Sequence, residues 1–169
     1  MIQKKICMVG VFGTGKSCLV QQYVHSIFSV KYHSTVGVKI DRKTVSVDGL
    51  DVGLMLWDLA GRDSEADIAV SYLRGVHGVI YVVDGTRRET FDQAFELEAI
   101  VRREVGQVPS VLAFNKFDLI DQWVLTAADE AAGPAGPGWH RIRTSAKTGV
   151  GVEAGFGWLG RATLGGSPR

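Results

Sequence analysis

The chain lacks the features that mark secreted, membrane-spanning and nucleic-acid-binding proteins. Its 169 residues include only two cysteines, Cys7 and Cys18. Two thiols do not make a disulfide framework, and both sit in or beside apolar segments. The expected state is reduced and packed, which points to the cytoplasm. No apolar run reaches the ~18 residues of a membrane span. Only Ile6 to Val9 separate the polar start of the chain from Gly10, too short a stretch for a signal peptide. Excess charge of either sign is missing too: 19 Lys and Arg face 18 Asp and Glu, a net +1. Such a chain has no long-range field for nucleic acid or an anionic membrane, so no nucleic-acid partner is expected and any anion site is local. The last residues, Gly165 to Arg169, contain no cysteine, so no lipid anchor of the prenyl kind is expected.

What is present is ordinary for a globular protein. Apolar residues are 46% and charged residues 22%, which argues against disorder. The length suits one domain, residues 1–169, able to bury roughly 70% of its unfolded surface without a staple. Short apolar runs alternate with helical patterns. Ile6–Val9, Leu54–Trp57, Val79–Val83 and Val111–Phe114 each end in a polar or glycine-rich turn, as buried parallel strands do. Phe91, Ala94, Leu97, Val101 and Val105 recur at helical spacing. Asp48-Gly49, after the alternating Val45-Ser46-Val47, is a hairpin signal. The expectation is an α/β fold with one antiparallel hairpin in an otherwise parallel sheet of six strands, flanked on both faces by about five helices. In such sheets ligands bind beyond the carboxyl ends of the strands. The run from Gly133 to Gly138 must stop the helix suggested by Ala127–Ala132, and a last helix carrying Gly155, Gly157 and Gly160 is expected to fray.

Four motifs carry chemistry. Gly10-Val11-Phe12-Gly13-Thr14-Gly15-Lys16-Ser17 lies between an apolar strand and a helical segment, the setting a phosphate-binding loop requires. Its glycines let backbone N–H groups wrap a phosphate, Lys16 can span the β- and γ-phosphates, and Ser17 can ligate Mg²⁺. Asp58-Leu59-Ala60-Gly61 follows the next strand. Asp58 there can hold Mg²⁺ through a water, and Gly61 can bring an N–H to a γ-phosphate. Asn115-Lys116-Phe117-Asp118 follows a third. The Asp118 carboxylate can accept from the N1–H and N2 amine of guanine, a donor pair adenine lacks, and such a site rejects the wrong base by roughly 10⁴–10⁵. Ser145-Ala146-Lys147 follows His140 to Thr144, where the Ala146 N–H can donate to guanine O6. By contrast, His25, His33, His77 and His140 have no metal-ligand spacing and read as surface or satisfied core residues, and Arg87-Arg88 and Arg102-Arg103 read as a solvated helix face, with a partner surface as the alternative.

In the order and spacing of these motifs the chain resembles the Ras-like small GTPases, the Rab branch most closely, over about residues 4–160. That resemblance implies a P-loop NTPase fold of the small G-protein kind and a GTPase switch holding GTP or GDP with Mg²⁺. It places Gly10, Gly13, Thr14, Gly15, Lys16, Ser17, Cys18, Asp58, Gly61, Asn115, Lys116, Asp118, Ser145, Ala146 and Lys147 around the nucleotide. Tyr32-His33-Ser34-Thr35-Val36-Gly37 is similar to a Rab-type first switch. By that likeness Thr35 completes the Mg²⁺ shell and Phe28 packs on the guanine, although from sequence alone Phe28 reads as core just as readily. Trp57 and the Asp48-Gly49 turn fit the same pattern. Effectors and regulators (an exchange factor, an activating protein) are implied at about residues 29–38 and 60–73, on a chain expected as a monomer.

Three departures stand beside the likeness. Typical members carry Gln after Gly61, and here it is Arg62. A guanidinium has no acceptor, so Arg62 does not orient an attacking water as Gln does. It is either a solvated switch residue or a built-in arginine reaching the γ-phosphate. Phe12 replaces a small residue close to the γ-phosphate and can obstruct an incoming arginine finger. No lipidated tail is expected, and in this the chain resembles the short, anchorless prokaryotic Ras-like GTPases more than a vesicle-bound Rab. The expectation is slow hydrolysis of GTP, with catalysis through Lys16, Thr35, Gly61 and Arg62. The alternative is a GTP-loaded scaffold that scarcely turns over. A P-loop kinase or ATPase of another class is disfavoured by Asn115-Lys116-Phe117-Asp118.

Overall fold

A computed structural model of the chain describes residues 1–29, 37–60 and 69–165. The strands are β1 (Ile2–Val9), β2 (Val38–Val47), β3 (Leu50–Leu59), β4 (Gly78–Asp84), β5 (Ser110–Asn115) and β6 (Trp139–Arg143). The helices are α1 (Lys16–His25), α2 (Arg88–Val105), α3 (Ala127–Ala131) and α4 (Val152–Ala162), with 3-10 turns at Val70–Leu73 and Phe117–Gln122. One six-stranded sheet has the order β2-β3-β1-β4-β5-β6. Among the described residues only β2 and β3 pair antiparallel, through the expected two-residue turn at Asp48-Gly49, where φ is 51° and 83°.

Both faces of the sheet are covered, which is why its central strands are apolar throughout. Alternate residues serve opposite sides. Ile6, Met8, Ile80 and Val82 pack under α1 and α4 with Leu19, Tyr23, Phe156 and Leu159. Cys7, Val9, Tyr81 and Val83 pack under α2 with Phe91, Ala94, Leu97 and Val101. Tyr23 stacks on Phe156 at 4.0 Å. The sequence pattern places fraying in α4, yet the helix runs unbroken from Val152 to Ala162. Gly155 and Gly160 lie on its sheet face, against Ile142 and Leu54, so their lack of a side chain lets the helix settle close. As expected, α3 stops before Gly133; Thr126 and Asp129 close a capping box at its start.

The chain winds to β3 and β2 on one side of β1, and to β4, β5 and β6 on the other. The direction of winding reverses at β1, and the loop after β1 opens where α/β sheets bind ligands. None of the helices among the described residues is long and apolar enough to cross a membrane.

Candidate nucleotide site

The loop after β1 turns directly into α1. Gly15 ends it with φ 96°, and no side chain caps the helix, so the first-turn N–H groups face the loop. A Cβ on Gly15 would run into the Asn115 amide, and one on Gly10 would sit 2.6 Å from the Val82 carbonyl. Those two positions are glycine because strands β4 and β5 crowd the loop from below.

Lys16 is 6% exposed, and its ammonium donates to the Val11 carbonyl at 3.2 Å inside the loop. Burial pushes its pKa down to about 8, against the opposing pull of Asp58. A cation held this way is only partly compensated by the protein, and a bound polyphosphate would supply the missing negative charge. The Thr14 hydroxyl donates to the Val11 carbonyl at 3.1 Å, closing the turn. The Ser17 hydroxyl donates to the carboxylate of Asp58, itself 1% exposed. One hydroxyl and one carboxylate thus meet at the mouth of the sheet. Two hard oxygens suit Mg²⁺, which is held by few protein groups. Among the described residues no cluster of three His, Cys, Asp or Glu offers a competing metal site.

The second half of the site hangs from β5 and β6. Buried Asn115 donates to the Thr14 carbonyl at 2.9 Å and accepts from the Thr144 hydroxyl at 3.1 Å. Lys116 takes φ 68° at the start of the next turn and pairs with Asp84 at 2.9 Å. Asp118 is exposed and accepts from the Ser145 hydroxyl at 2.7 Å. Ser145 also takes the Thr148 N–H at 3.1 Å, while its own N–H donates to the Val150 carbonyl at 2.9 Å. That folds the Ser145–Val150 loop tightly, with Ala146 buried and Lys147 exposed. Fixed hydrogen bonds therefore join the three segments Gly10–Ser17, Asn115–Asp118 and Ser145–Lys147.

Cys18 is half-buried against the α1 side of the core, and its pKa is raised by burial. Phe28 is 38% exposed and belongs to neither core cluster. Thr35, Gly61 and Arg62 lie outside the described residues. The flanks of the two expected switch segments do meet: the Ala60 N–H donates to the Gly37 carbonyl at 2.9 Å.

A model of the Ras family matches residues 5–164. The chain belongs to the Ras family. It is similar to the Ras-related protein Rab-1 of Theileria annulata, with 38% identity over 161 residues, and to that of Theileria parva, with 37% over 161 residues. Each comparison covers 94% of this chain and 73% of the relative. As a Rab-like small GTPase, the chain is a member of a family of GTP-binding switches that hold GTP or GDP with Mg²⁺ and meet regulators and effectors.

The Ras-family frame also marks what sequence reading missed. Asp84 is 1% exposed at the carboxyl end of β4 and holds Lys116. The signal was there, since a carboxylate ending a buried parallel strand in Val83-Asp84-Gly85 parallels Trp57-Asp58. Thr144, which orients Asn115, left no signal beyond being a hydroxyl at a strand end. The solvated-face reading holds for Arg88, which pairs with Asp129 at 2.7 Å, and fails for Arg87. Arg87 precedes α2 rather than lying on it, and its side chain turns in to Asp84 and to the Phe12 carbonyl. A buried carboxylate draws it there.

Proposed function

We propose that this protein is a guanine-nucleotide switch that binds GTP with Mg²⁺ and hydrolyses it slowly to GDP and phosphate. The observation that supports this most is the bond between Asn115 and Thr14, because it joins a guanine-reading loop to a phosphate loop in one rigid unit. Asp118 takes the N1–H and N2 amine of guanine. The Ala146 N–H donates to O6, and Phe28 covers the ring. Amides of residues 13–18 and the Lys16 ammonium hold the β- and γ-phosphates. Ser17, Thr35 and, through water, Asp58 are the residues that would hold Mg²⁺, which when bound supplies charge neutralisation at the phosphate oxygens.

Catalysis is then positioning and electrostatics. Lys16 and the loop amides stabilise charge spreading on the γ-phosphoryl, and Gly61 adds an N–H. The attacking water has no acceptor from Arg62, so its orientation is poor and the rate is low. The γ-phosphate holds Thr35 and Gly61, ordering residues 29–38 and 60–73 for an effector; hydrolysis releases them. An exchange factor and an activating protein would act on the same two segments. A second reading, a scaffold that stays GTP-loaded, is favoured by Arg62 and Phe12 together, since the first removes the water's acceptor and the second crowds the entry of an external arginine.

The base assignment is tested by displacing a fluorescent GDP from the purified protein with GTP, GDP, ATP and ADP. Guanine nucleotides should compete at least about a thousandfold better than adenine nucleotides. Equal competition by ATP would refute the reading of Asp118.

A further inference from the structure

Arg87 stands just before α2 with its main chain extended, at φ −134° and ψ 105°. Its N–H donates to the Asp84 carbonyl at 3.0 Å, and its carbonyl accepts from the Thr90 N–H at 3.1 Å and hydroxyl at 2.8 Å. The backbone is fixed, and the side chain folds back over the phosphate loop. Its Nε donates to Asp84 Oδ2 at 3.2 Å, and its Nη2 donates to the Phe12 carbonyl at 2.9 Å. Its outer nitrogen, Nη1, lies 4.0 Å from Glu89.

Asp84 joins this arrangement to the base-reading loop. Its Oδ2 also takes the Lys116 ammonium at 2.9 Å. Its Oδ1 accepts from the Thr86 N–H at 2.9 Å and hydroxyl at 2.6 Å. A buried carboxylate with four donors has its charge met and its rotamer locked. Lys116, Asp84, Arg87 and the Phe12 carbonyl therefore form one continuous line from the base loop to the middle of the phosphate loop. The peptide at its far end precedes Gly13, which has φ 80°, so local sterics do little to fix its direction.

We infer that Arg87 is a positioning residue for the nucleotide: it holds the Phe12 peptide in place and, through Asp84, couples the phosphate loop to Lys116. The inference rests on the guanine-nucleotide reading of the site. A guanidinium suits the task because its planar fork reaches two acceptors at a set angle, which a lysine ammonium does not. With Arg87 in place the Phe12 carbonyl has a defined direction. Without it, the peptide at residues 12–13 is free to turn and the phosphate loop loosens around its ligand.

The test is release of a fluorescent GDP from the full chain, chased with excess GDP. It compares the wild type with Arg87→Met, Arg87→Lys, Lys116→Met and the double variant Arg87→Met/Lys116→Met. Arg87→Met should speed release at least about fivefold, and Arg87→Lys should do nearly the same because charge without the fork is not enough. The double variant should release GDP within about twofold of Lys116→Met alone, because both residues act through Asp84. If Arg87→Met melts below the assay temperature, Arg87→Lys carries the same comparison. Unchanged release, full rescue by lysine, or effects that simply multiply would each overturn the inference. A wild type that does not hold the fluorescent GDP would overturn the nucleotide reading and this inference with it, whereas a wild type that holds it leaves Arg87 as the only claim under test.

Discussion

The side-chain amide of Asn115 donates to the main-chain carbonyl of Thr14 at 2.9 Å, joining residues 101 apart in sequence. The same side chain accepts from Thr144, so its amide has one possible orientation. Asn115→Ala removes both bonds and leaves a buried carbonyl and a hydroxyl without their partner. Such losses cost about 1–3 kcal/mol. The expected result is GDP release faster by roughly ten- to a hundredfold, read by chasing a fluorescent GDP. An unchanged release rate would mean that the bond is structural decoration and that the two loops bind independently.

Gly85 and Gly157 should respond to alanine in opposite directions. A Cβ on Gly85 would enter the Trp123 ring, whereas one on Gly157, exposed on α4, meets nothing within 4 Å. Gly85→Ala forces the indole off the β4 end and should destabilise by about 1–3 kcal/mol. Gly157→Ala adds helix propensity and should stabilise by about 0.5–1 kcal/mol. Urea denaturation of the two variants checks both signs.

Cys7 should be chemically silent in the native protein. It is fully buried in β1, and burial pushes its thiol up to about 12, against a small opposing effect of Lys5. Its ordinary value is 9.0. Between about pH 9 and 12 the unfolded chain loses this proton and the native chain keeps it. The Cys7 contribution to stability is therefore present below pH 9 and is lost as pH rises towards 12. Alkylation at pH 8, followed by mass spectrometry, should label Cys7 only at the rate of unfolding. Rapid labelling of native protein would contradict the burial.

Arg62→Gln should raise intrinsic GTP hydrolysis. Glutamine restores an acceptor and a donor for the attacking water. One such contact made in the transition state is worth at least about a tenfold gain in rate. A fall in rate on this substitution would instead identify Arg62 as the arginine that reaches the γ-phosphate.

The two halves of the site were unequally legible. Gly15, Lys16, Ser17 and Asp118 announce themselves because phosphate wrapping and guanine reading need particular residue types at fixed spacing after a strand. The sheet was legible for a similar reason: buried parallel strands are short apolar runs, and Asp48-Gly49 admits few turns. Arg87 was not legible. Whether an arginine before a helix faces water or turns inward depends on a carboxylate three residues earlier and a carbonyl 75 residues away. The fraying expected of α4 failed likewise. Glycine lowers local helix propensity, but the close packing that Gly155 and Gly160 permit against the sheet is a tertiary gain that propensity does not contain.

Single-turnover hydrolysis of GTP preloaded on the wild-type protein with Mg²⁺, in the absence of any partner, tests the central claim most directly. The proposed switch should retain GTP and convert it to GDP at or below about 10⁻⁴–10⁻³ s⁻¹, the range of an unassisted Ras-type enzyme. A protein that retains no GTP, or one that turns it over within seconds, would contradict the account.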